Sequence, residues 1–68
     1  MEYSNDDLIE AKRQIDSTVH KLRETVKSLR AKEKQDRYKS QITLAERRIR
    51  AFEIAGFLIE EKMNRETD

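Results

Sequence analysis

Two apolar seams run along this chain, and one straight helix cannot carry both. Leu8, Ile15, Leu22 and Leu29 recur every seven residues, with Val19 and Val26 between them at spacings of four and three. This is a heptad pattern, with Val at a positions and Leu or Ile at d. Lys12 is the polar residue on this seam. A second seam follows: Tyr38, Ile42, Ala45, Ile49, Phe52, Gly56, Ile59 and Met63, again at spacings of four and three. Counting sevens from Val26 puts an a position at Ser40, whereas the second seam has it at Ile42. A shift of two residues turns the face by about 200°. The chain is therefore expected to break between residues 31 and 37, where Asp36 is a candidate N-cap. The absence of Gly and Pro there leaves a continuous bent helix as the alternative.

The spacing predicts an all-α fold: a single-domain, coiled-coil-like antiparallel two-helix hairpin over residues 1–68. Helix 1 is expected over about residues 5–31, the turn over 32–36 and helix 2 over 37–65. Ser4 followed by Asp7 reads as a capping signal, and Asp6 and Asp7 suit the positive end of a helix dipole. In an antiparallel pair, a positions face d positions. One register sets Leu29 against Ile42, Leu22 against Ile49, Val19 against Phe52 and Ile15 against Gly56. The competing register slips by one heptad. The first is preferred because it also brings Leu8 near Met63.

Size and composition narrow the function classes. A chain of 68 residues buries little apolar surface alone and needs a staple or a partner. There is no Cys to form a disulfide, and one His without Cys excludes the usual zinc sites. Charged residues are 43% of the chain, which fits long solvated helices with narrow seams and not a compact enzyme. Adjacent carboxylates such as Glu60 and Glu61 point apart on a helix and do not form an acid–base couple. His20 reads as a surface residue. No catalytic, cofactor-binding or metal-binding residue is assigned, and neither a cofactor nor a small-molecule substrate is expected. The acidic start MEYSNDD is unlike a secretory signal, and IAGFLI is far shorter than the roughly 20 residues a membrane span needs. A cytoplasmic protein with no membrane association is expected.

Helix 2 is apolar on two flanks. Leu44, Ala51, Ile54, Ala55 and Leu58 lie roughly opposite the seam, and a hairpin covers only one flank. Ala11, Thr18 and Thr25 place small residues at the g positions of helix 1. Gly inside a helix costs about 1 kcal/mol relative to Ala, so close packing is the expected reason for Gly56. The second flank is read as the interface of a homodimer, two hairpins making a four-helix bundle, with a groove for a different protein as the competing reading. A membrane-surface helix fits less well, because Glu46, Glu53, Glu60 and Glu61 crowd the polar face. Ile9 and Phe57 fit neither seam and are candidate exposed anchors.

Charge is sorted along the chain. Residues 20–50 carry eleven Lys or Arg against four Asp or Glu, a net +7, and the stretches on either side carry −3 each. In a hairpin the turn end is then basic and the open end acidic. Helix 1 also carries a row, Arg13, Asp16, His20, Arg23, Lys27, Arg30 and Lys34, and Arg37, Lys39, Arg47, Arg48 and Arg50 extend the basic character around the turn and onto helix 2. Three readings follow: a solvated face, a head-to-tail dimer oriented by the sorting, or contact with an acidic partner, either nucleic-acid phosphates or a protein surface. The contact residues of the last are Arg23, Lys27, Arg30, Lys34, Arg47 and Arg48. No aromatic interleaving supports base stacking.

In shape alone, the expected dimer is similar to the short plasmid-encoded RNA-binding hairpins that pair into four-helix bundles; it shares no motif with them. The function expected from the residues is a small non-enzymatic interaction module, homodimeric, that binds or regulates another protein. The alternative is a bundle that binds the backbone of RNA or DNA.

Overall fold

The computed structural model describes residues 2–32 and 35–66. Helix α1 spans Asn5–Arg30 and helix α2 spans Lys39–Glu66, with a single turn of 3-10 helix, Gln35–Tyr38, leading into α2. The helices pack against each other in opposite directions. Lys12 of α1 pairs with Glu60 of α2, Arg23 with Glu53, and Arg30 with Glu46.

α1 begins where a reciprocal cap fixes it. The Ser4 hydroxyl oxygen accepts a hydrogen bond from the Asp7 amide at 3.1 Å, and the Asp7 carboxylate accepts one from the Ser4 amide at 3.2 Å. Two of the amides left open at a helix start are thereby satisfied, and Asp6 and Asp7 face the positive end of the helix dipole. At the other end the Ala31 amide donates to the Lys27 carbonyl and the Lys32 amide to the Leu29 carbonyl. The helix stops at Arg30, one residue before the expected end.

The start of helix 2 differs from the sequence expectation. Asp36 does not cap an α-helix from residue 37; it sits in the 3-10 turn, and α2 starts at Lys39. The phase shift between the seams has to be absorbed between Arg30 and Lys39. A 3-10 turn, with three residues per turn, winds the backbone more tightly than α geometry does. None of the described residues has a positive φ. Lys32 Nζ lies 4.9 Å above the centre of the Tyr38 ring and ties the end of α1 to the start of α2.

Between the helices the two seams interlock. Every seam residue is buried or half-buried: Leu8, Val26 and Leu29 are buried on α1, and Ala45 and Gly56 on α2. Gly56 faces Ile15, the pairing of the preferred register. The molecule is long and thin, 50 × 18 × 14 Å, with a radius of gyration of 15.4 Å. A compact domain of this length has about 11 Å. Its accessible surface is 5835 Å², against about 4,500 Å² for a compact monomer of 8.1 kDa.

Gly56 is buried but not crowded. A methyl group there would lie 3.6 Å from Ile15 Cγ2 and 3.7 Å from the Lys12 stem, ordinary contact distances. Gly56→Ala is therefore expected to raise stability by up to about 1 kcal/mol through helix propensity. Gly56→Leu is expected to lower it by about 1–3 kcal/mol through overpacking. Urea unfolding of the two variants checks both signs.

Candidate interaction surfaces

Heptad position decides which side of the hairpin each residue occupies. In an antiparallel pair, e positions meet e positions on one side of the seam and g positions meet g positions on the other. Arg23 and Arg30 are e residues of α1, and Glu46 and Glu53 are e residues of α2. Their ion pairs form two bars across one side of the hairpin. Lys12, at an a position, reaches the same side. Its ammonium donates to Asp16 at 2.6 Å and lies 3.3 Å from Glu60, while its stem covers Gly56. The side chain is 22% exposed. The hydrogen bond to Asp16, opposed by partial burial and helped by Glu60, raises the Lys12 pKa above the ordinary lysine value.

A groove of about 510 Å³ opens between the two bars. Val26 and Ile49 contribute its apolar lining, and Lys27 and Arg50 stand beside the paired arginines. Further along the same side, Arg50, Glu53, Ile54 and Phe57 border a shallower depression. Phe57 is 59% exposed.

The predicted basic row is thus only partly available to a partner. Arg23 and Arg30 pair with carboxylates of their own chain, and Lys27 lies between them, exposed. Arg47 and Arg48 are exposed but lie around α2, away from the groove-side residues. Lys34 lies outside the described residues. From sequence, Glu46 and Glu53 stand out only as polar-face residues and Arg50 only as part of the basic extension; their pairing with Arg30 and Arg23 is not assigned there. The signal was present: once the register is fixed, residues 23 and 53, and 30 and 46, are facing e positions.

The apolar flank of α2 is uncovered in the single chain. Leu44, Ala51, Ile54 and Leu58 are exposed and Ala55 is half-buried, with Leu58 at 59% exposure. Leu44, Ala51 and Leu58 occupy c positions, next to the g residues Arg48, Ala55 and Lys62. On α1 the same side carries Ala11, Thr18 and Thr25. Leu44, Ala51, Ala55 and Leu58 therefore lie away from the ion-paired side, where small residues line the approach, while Ile54 stands at the other edge of the flank, beside Phe57.

Among the described residues no group of three or more His, Asp or Glu is placed to hold a metal ion, and no helix is long and apolar enough to cross a membrane. No protein family, curated protein or solved structure matches the chain.

The two bars are solvent-accessible, with both partners of the Arg23–Glu53 pair more than a third exposed, so screening limits their strength. A double-mutant cycle of Arg23→Gln and Glu53→Gln is expected to give a coupling of about 0.2–1 kcal/mol that falls as salt is raised. Additive effects at low salt would mean that the pair does not couple the helices in solution.

Proposed function

We propose that the chain is a non-enzymatic, cytoplasmic interaction module that works as a homodimer of hairpins, a four-helix assembly built on the apolar flank of α2. The observation that supports this most is the exposure of Leu44, Ile54 and Leu58 on a hairpin with a very small core. Among the described residues four apolar side chains are buried, Leu8, Val26, Leu29 and Ala45, and no disulfide supplements them. A chain this short with so little burial is marginal alone. Covering the flank with a second copy removes apolar surface from water at about 25 cal/mol per Å² and completes the core.

In such a dimer the ion-paired side stays outward. The groove edged by Arg23, Lys27, Arg30 and Arg50 against Glu46 and Glu53 has a net positive lining, which suits an acidic protein surface. The nucleic-acid alternative is less well supported. Two of its cations already hold carboxylates of the same chain, and Glu46 and Glu53 would face the phosphates.

Sedimentation equilibrium at micromolar concentration is expected to give twice the chain mass for the wild type. Leu58→Glu is expected to give monomers with reduced helicity. A fully helical wild-type monomer would remove the basis of the proposal. Strong, salt-sensitive binding of RNA or DNA by the wild type, weakened evenly across sequences by Lys27→Gln, would favour the alternative.

A further inference from the structure

We infer that the second copy lies antiparallel along α2, touching α2 and not α1, so that the four helices form an open layer with the two α2 helices in the middle. This rests on the self-association proposed above and specifies its geometry. The first support is the direction of the flank. At about 100° per residue, the seam of α2 and the flank of Leu44, Ala51, Ile54, Ala55 and Leu58 are centred about 130° apart. A square four-helix bundle sets neighbours about 90° apart around each helix. A copy centred on the flank therefore stands away from α1.

The second support is the order of residues along that flank. Leu44, Arg47, Ala51, Ile54, Leu58 and Glu61 follow one another at spacings of three and four, a short heptad seam with a cation near its start and a carboxylate near its end. Arg47 and Glu61 are both exposed, and Glu61 lies 3.8 Å from Arg65, at the margin of an ion pair. In a parallel, in-register pair Arg47 meets Arg47, Glu61 meets Glu61, and two turn ends, each within a +7 stretch, lie side by side. Like charges at such distances repel.

Reversing one copy removes these conflicts. Facing a against d sets Ala51 against Ile54 on both sides of the two-fold axis. Leu58 then packs on the stem of Arg47, and Arg47 comes within one turn of Glu61 of the second copy. The axis falls between residues 52 and 53, the midpoint of α2 at Lys39–Glu66. The two α2 helices then overlap along their whole length, about 42 Å. Each basic turn end lies over the acidic open end of the other copy.

The chain has no cysteine, so Gln41→Cys, at an exposed position, carries one spin label per copy. Double electron–electron resonance on a sample of dimer mass is expected to give a separation near 35 Å, from 23 residues at about 1.5 Å each. A separation under about 20 Å, as parallel helices about 8–10 Å apart require, would overturn the antiparallel arrangement while leaving self-association intact. A monomer mass would overturn self-association itself. Arg47→Glu and Glu61→Arg are each expected to weaken the dimer about tenfold, and the two together to return it to within about threefold of wild type. A double variant weaker than either single would show that Arg47 and Glu61 do not meet.

Discussion

The interlock of two out-of-phase seams is the constraint on which the rest of this molecule depends. The two-residue phase shift forbids one straight helix with one buried face. The 3-10 turn at Gln35–Tyr38 lies where that shift has to be taken up. Once the chain doubles back, the heptad positions settle the sides: e positions together on one, g positions together on the other. The Arg–Glu bars, the groove between them and the exposed flank of α2 all follow from that choice.

An exposed apolar flank on so thin a molecule has a thermodynamic meaning. The hairpin exposes about 30% more surface than a compact monomer of its mass. Its helices owe little of their stability to intrinsic propensity, since isolated helices are marginal and gain most from packing. The small residues Ala51 and Ala55 of α2 leave room for another helix on that flank. The ion pairs lie on the other side, where they can persist in water at modest strength. This division between a side that lacks cover and a side that is already paired is the basis of the proposed homodimer.

Much of this was legible in the residues. The seams, the cap at Ser4 and Asp7, the antiparallel packing and the Ile15–Gly56 pairing follow from apolar periodicity and cap chemistry, which are local or strictly periodic signals. The turn was less legible. No Gly or Pro marks it, and a 3-10 turn leaves no periodic trace, so periodicity alone starts α2 two residues early and gives Asp36 a cap's role. The partners of Arg23 and Arg30 went unassigned because e-position pairing is defined only after the register is chosen. Gly56 does lie at the helix–helix contact, against Ile15 and the Lys12 stem, but a methyl group fits there; the spacing of a seam does not report the gap between helices.

The dependence of the thermal midpoint on protein concentration tests the central claim most directly. Folding coupled to association makes Tm rise with concentration by mass action. For the wild-type chain, raised from about 1 to about 100 μM, a Tm that climbs by several degrees is the expected result. A Tm that stays constant over that range, with the helical signal of the hairpin intact, would contradict the proposal that a second copy covers the flank of α2.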